Sequence, residues 1–159
     1  MGELILAALI VLADQLVKSF STALVLRRGP VVLIPGVMRL SYVRNFGASY
    51  SILQGKTLFL LLVTGVVCLA LIILLTLGKP KAAAERTALA MVLGGAVGNA
   101  LDRLADGYVT DMLETLFIEF PVFNVADCFI TVGGILFVLY TFLEERRKKT
   151  ELQDAGNQD

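Results

Sequence analysis

Hydrophobic positions along this chain gather into four long runs separated by short polar stretches. The clearest run, residues 57–78, carries no charge between Lys56 and Lys79 and is long enough to cross a ~30 Å hydrocarbon core unaided. Residues 87–101 and 128–143 are also uncharged, yet each becomes a full crossing only by extending through Asp102 or Asp127, so these two aspartates are expected near helix ends. The first run starts at about Leu4, reaches the mid-twenties, and carries Asp14 and Lys18 one turn apart on the same face. The pattern predicts one domain, 1–159, with spans at about 4–24, 57–78, 84–103 and 122–143, loops at 25–56 and 104–121, and a tail at 144–159. Within the first loop, GPVVLIPGVMRLSYV reads as short β-strands punctuated by Gly29-Pro30 and Pro35-Gly36.

Composition agrees with a lipid-facing surface: 57% of residues are hydrophobic, 18% charged, and the mean hydropathy is +0.78. Formal net charge is zero, which removes the electrostatic case for a nucleic-acid partner. Histidine and tryptophan are absent and the only cysteines are Cys68 and Cys128, both inside apolar runs. A histidine-based triad is therefore impossible, no metal or cofactor is expected, and the thiols read as buried packing residues rather than as a disulfide or a nucleophile. Any hydrolytic chemistry must rest on carboxylates. The amino-terminal stretch looks superficially like a secretory signal but lacks a basic start and carries Asp14 and Lys18, so it reads as a retained helix.

Four crossings put both termini on one side. The EERRKK tail with Lys79, Lys81 and Arg86 marks that side as cytoplasmic, whereas Arg27, Arg28, Arg39, Arg44 and Lys56 in the first loop argue the other way. The folded character expected of the first loop favours termini inside. Counting inward from the cytoplasmic edges gives 16 residues (~24 Å) from Arg86 to Asp102, 17 (~25 Å) from Glu144 back to Asp127, and 15 (~22 Å) from Glu3 to Lys18. Three helices thus bring ionisable groups to a common level near the outer interface.

An aspartate within a membrane helix costs roughly 2.5–3.5 kcal/mol at the bilayer centre and usually faces a cavity or a partner. Each of these residues also has a structural reading. Asp14 and Lys18 could form a plain ion pair, Asp102 with Arg103 a helix-end anchor, Asn124 or Asp127 a helix cap, and Gly94, Gly95 and Gly98 a close helix contact. Together, however, Asp14, Asn99, Asp102, Arg103, Asp111, Asn124 and Asp127 make a polar cluster that packing alone does not require.

DQLVK at 14–18, NFGASYSIL at 45–53, GGAVGNALDR at 94–103, VTD at 109–111 and FNVAD at 123–127 occur in this order across four spans. In that order and spacing, over nearly the whole chain, they resemble the motif set of lipoprotein signal peptidase, the type II signal peptidase. The resemblance implies an all-α membrane protein of four transmembrane helices with a small extracytoplasmic β-cradle, formed largely by the first loop, in the bacterial cytoplasmic (inner) membrane. It implies an aspartic peptidase acting near the extracytoplasmic face, with Asp111 and Asp127 as the catalytic pair. It further implies supporting or substrate-binding roles for Asp14, Lys18, Asn45, Gly47, Asn99, Arg103, Asn124 and Ala126, with Asp102 holding the site in shape. The substrate would be a prolipoprotein carrying diacylglycerol on the cysteine after the scissile bond. Met112 departs from the family, which often has an aromatic residue there, and this bears on a contact rather than on the chemistry.

Two neighbouring carboxylates share one proton and so supply a base and an acid together. The expected mechanism has the ionised partner activate a water while the protonated partner stabilises the oxyanion and assists the leaving amine. Membrane lipid would help to position the lipidated cysteine at ~0.8 kcal/mol per buried CH₂, and Phe46, Tyr50 and Ile52 are candidates for a clamp or an interfacial anchor. A monomer is expected, with a solvated, mobile tail from Thr150 onward. Two other classes fit intramembrane carboxylates: a small proton- or ion-coupled transporter and a non-enzymatic membrane scaffold. The transporter would need a polar path from face to face, and the cytoplasmic halves of spans two to four offer no ionisable steps.

Overall fold

A computed structural model describes residues 1–47, 53–78 and 82–156. Most of the NFGASYSIL stretch, including Tyr50 and Ile52, lies outside the described residues, as do Lys79 and Lys81. The chain runs α1 (Gly2–Arg28), β1 (Val31–Ile34), β2 (Met38–Asn45), α2 (Thr57–Thr76), α3 (Ala83–Ala105), β3 (Val109–Thr115) and α4 (Val125–Gly156). All four helices are long and apolar enough to cross a membrane, and the three strands form one small antiparallel sheet in the order β1-β2-β3.

The helix at the centre is the least apolar one. In its most hydropathic stretch α3 is 56% buried, whereas the corresponding stretch of α2 is only 6% buried. α3 can occupy the middle because it is made of small residues, and backbones then approach closely. A Cβ at Gly94 would stand 2.8 Å from the Ala7 carbonyl oxygen of α1, and one at Gly133 of α4 would stand 2.7 Å from the Ala88 carbonyl oxygen of α3. α2 instead presents Leu58, Leu62, Val66 and Leu69 outward as bare apolar surface, which only lipid makes inexpensive.

Two apolar clusters hold the parts together. Ala7, Leu75, Leu89 and Leu93 join α1, α2 and α3 at one end of the bundle. At the other end Val25, Leu40 and Met112 fasten the sheet to α1. Met112 is 1% exposed, so the residue that departs from the family pattern faces this cluster and serves packing.

The strands come from two loops. β1 and β2 are the expected hairpin, turned at Pro35-Gly36, where Gly36 has φ +72°. β3 lies in the 104–121 loop, from which no strand was expected; Gly107, at φ +80°, turns the chain out of α3 and into it. Two further expectations are corrected. The tail from Thr150, expected to be solvated and mobile, is exposed at Thr150 and Glu151 but helical, with α4 continuing to Gly156 and supported by an Arg147–Glu151 pair at 2.9 Å. Cys128 was expected to be a buried packing residue and is exposed.

Candidate active site

Backbone pairing brings the site together. Phe123, just before α4, exchanges backbone hydrogen bonds with Leu113 of β3: the Leu113 N–H donates to the Phe123 carbonyl at 2.8 Å and the Phe123 N–H to the Leu113 carbonyl at 3.0 Å. That bridge sets Asn124 beside Asp111, two residues back along β3. Asn124 then caps α4: its Oδ1 accepts from the Asp127 N–H at 2.9 Å, and its own N–H donates to Asp127 Oδ2 at 3.1 Å, a reciprocal capping box. The same Asn124 donates through Nδ2 to Asp111 Oδ1 at 2.6 Å and to Asn99 Oδ1 at 3.1 Å. Residue 124 is therefore both the helix cap that its position suggests and the bridge between two carboxylates.

The outer pair is held by amides. Asp111 accepts from Asn45 Nδ2 at 2.9 Å on its other oxygen, and Asp127 accepts from Asn99 Nδ2 at 2.8 Å. Asp111 is 2% exposed. Burial, with the nearby Asp127 charge adding to it, pushes its carboxyl up to about 6 against the opposing hydrogen bonds from Asn45 and Asn124. Arg103 lies close to both acids, but its guanidinium donates to the Gly47 carbonyl at 2.9 Å and to the Asn99 carbonyl at 3.4 Å. Gly47 is in turn fixed by its N–H, which donates to Asn45 Oδ1 at 3.0 Å.

A second group lies behind this one, between α1 and α3. Lys18 Nζ sits 2.8 Å from Asp14 Oδ2, 2.9 Å from Asp102 Oδ2 and 3.0 Å from Asn99 Oδ1, and all four residues are buried. The carboxylate oxygens accept further hydrogen bonds. Asp14 Oδ1 accepts from the Ala126 N–H at 2.9 Å, and Asp102 Oδ2 from the Thr110 N–H at 3.0 Å. Gln15, which carried no expectation, donates to Asp102 Oδ1 at 2.8 Å, to the Gly98 carbonyl at 3.2 Å and to Asp14 Oδ2 at 3.3 Å. Its sequence signal was its place in the DQLVK motif at 14–18, from which no role was drawn. Asp102, whose alternative reading was an anchor with Arg103, pairs with Lys18 instead.

A cavity of about 680 Å³ opens in front of the outer pair. Asn45, Asn99, Arg103, Asp111 and Asp127 reach it. Asp14, Lys18, Asp102, Asn124 and Ala126 do not line it. Ala126 is fully buried and meets α3 across Gly95 and Gly98. The rest of the wall is largely apolar, from Leu60 of α2, Ala96 of α3 and Ile130 of α4 to Phe120 and Phe123 before α4, and Cys128 opens onto it. Two neighbouring acids at the head of a largely apolar cavity are suited to acid–base chemistry on a substrate that enters from an apolar side.

The family described as "Signal peptidase (SPase) II" matches residues 6–143. A lipoprotein signal peptidase of Enterococcus faecalis is 39% identical over 145 residues, covering 91% of this chain and 90% of the relative. One of Brevibacillus brevis is 39% identical over 146 residues, covering 91% and 97%. Among solved structures, one described as a bacterial membrane enzyme determined by the in meso method at 2.3 Å superposes with a TM-score of 0.80 at 27% identity, covering 92% of this chain and 91% of that one. A second, at 1.9 Å, gives 0.74 at 28% identity, covering 88% and 92%.

Proposed function

The chain belongs to the signal peptidase II family, and on that premise we propose that it removes signal peptides from diacylglyceryl-modified prolipoproteins by aspartic catalysis, cutting before the lipidated cysteine. It is a multi-pass protein of the bacterial inner membrane. Family membership decides for a peptidase over a transporter or a scaffold. In the proposed orientation the sheet and cavity face the extracytoplasmic side and the long end of α4 the cytoplasm.

The observation that carries the aspartic reading is the Asn124 carboxamide, which holds Asp111 on one side and Asp127 on the other. The shared proton is assigned to Asp111, whose carboxyl burial raises to about 6. Asp127, at the positive end of α4, accepts from Asn99 and from the Asn124 N–H and takes the proton of the attacking water. As the tetrahedral intermediate forms, Asp111 donates to the oxyanion, and the departing amine then leaves with a proton from the pair. Asn45 and Arg103 fix the near side of the cavity; the Arg103 fork also meets the Gly47 carbonyl and so ties the first loop to α3.

Asp111→Asn and Asp127→Asn test this. Each variant should insert and fold yet fail to cut a diacylglyceryl prolipoprotein, and chelators should leave wild-type turnover unchanged. Turnover retained in both variants would overturn the paired-acid mechanism, and chelator-sensitive turnover would overturn its independence from metal.

A further inference from the structure

Two hydroxyls interrupt the apolar cavity wall supplied by α2 and α4: Thr64 on α2 and Thr131 on α4. Thr64 donates to the Leu60 carbonyl of its own helix at 2.8 Å, the usual resting place of a threonine hydroxyl in a membrane helix. Thr76 and Thr141 do the same with the carbonyls of Ile72 and Phe137. The Thr131 hydroxyl makes no hydrogen bond among the described residues, although the Asp127 carbonyl stands four residues before it. Its side chain is exposed and lines the cavity.

The proposed reaction places a demand on this wall. A peptide bond can be attacked only where its backbone is extended, so a signal peptide that is helical in lipid must be unwound beside the scissile bond. Each unwound residue leaves an N–H and a C=O without a partner in apolar surroundings. Thr131 lies one helical turn from Asp127 on the same side of α4, about 6 Å along the axis, a distance an extended chain covers in about two residues. Because α4 runs from the acid pair into the bundle, that is the direction the signal-peptide side of the substrate takes. Resting on the site reading given above, we propose that Thr131 is a positioning residue whose hydroxyl hydrogen-bonds the unwound substrate backbone about two residues to the signal-peptide side of the scissile bond.

Thr131→Val removes the hydroxyl at nearly constant shape, and Thr131→Ser keeps it. Both variants are to be compared with wild type in steady-state cleavage of a diacylglyceryl-modified prolipoprotein peptide by the full chain in lipid nanodiscs. One neutral hydrogen bond corresponds to roughly a fivefold effect. Thr131→Val should therefore lose about fivefold in kcat/KM, chiefly through KM because the contact is made before and during reaction, and Thr131→Ser should stay within about twofold of wild type. A second peptide, with a backbone ester in place of the amide two residues before the scissile bond, should be cut more slowly than the amide by wild type but no more slowly than the amide by Thr131→Val. Equal kcat/KM for wild type and Thr131→Val, or an undiminished ester penalty in that variant, overturns the proposal. Wild-type protein that cuts neither peptide overturns the site reading and this inference with it. Wild-type turnover that Asp127→Asn abolishes preserves the site reading whichever way the threonine variants fall.

Discussion

Asp14 and Asp102 on one side, and Asp111 and Asp127 on the other, are four aspartates in one continuous network whose surroundings give them opposite chemistry. The inner two share a buried lysine at 2.8 and 2.9 Å, and their other contacts come from backbone N–H groups and Gln15. The outer two receive amide and backbone donors but, among the described residues, no direct cation, since the Arg103 guanidinium donates to carbonyls instead. A carboxylate that a lysine neutralises is a fixed part of the frame. One held only by neutral donors is the kind that the proposed mechanism has exchange a proton. The difference teaches that charge compensation, more than residue type or depth, is what sets the two pairs apart, and on the proposed mechanism it separates scaffold from reagent.

The largest effect should come from the outer pair. Asp127→Asn should lower kcat/KM at least ~10³-fold, in the range of a lost general base, while the melting temperature in detergent changes little; a matching collapse in melting temperature would place Asp127 with the frame. The inner pair should respond in the reverse sense. Lys18→Met leaves Asp14 and Asp102 buried without their cation and should cost about 3–5 kcal/mol in stability, seen as a large fall in melting temperature; a variant that stays as stable as wild type would dissolve the distinction. Gly98→Ala is a smaller probe of the frame. Its Cβ would stand 2.7 Å from Asp14 Oδ2, and a cost of about 1–3 kcal/mol is expected.

The subtlest probe is pH. The Asp111 carboxyl, raised to about 6 from its ordinary 3.8, stabilises the fold fully below about pH 4, and that contribution is lost as pH climbs through about 6. Asp111→Asn has no charge to bury, so it should gain on wild type at pH 8 by about 1 kcal/mol after one mispaired amide is allowed for. The gain should close and then reverse as the pH is brought down to 4, because the wild-type carboxyl regains more than about 1 kcal/mol over that range. Melting curves at both values check this, and a gap that is constant with pH would remove Asp111 as a proton carrier.

How far the molecule could be read beforehand followed from the range of the interactions. The α2 span was legible because an uncharged run of sufficient length has one outcome in lipid, and Asp14 with Lys18 because four-residue spacing alone makes them neighbours. The role of Gln15 was not legible even though it stands in the DQLVK motif, since its partners Gly98 and Asp102 lie on another helix. β3 was hidden in VTDMLET because its pairing partner, β2, comes from a distant loop. Cys128 was misplaced because which face of α4 meets a cavity depends on how α2 and α3 pack around it. Helical propensity and i,i+4 charge pairs carry α4 past the membrane to Gly156, which a reading based on solvation overlooked.

The Asn124 bridge also sets a limit on chemical durability. Asparagine side chains hydrolyse spontaneously to aspartate with age and heat. At this position the change would turn the Nδ2 group, which donates to Asp111 and Asn99, into an acceptor, and would wedge a third negative charge between the two acids. On the proposed mechanism the loss of that one amide would end activity, and the same cap that places Asn124 at the head of α4 holds its side chain in place.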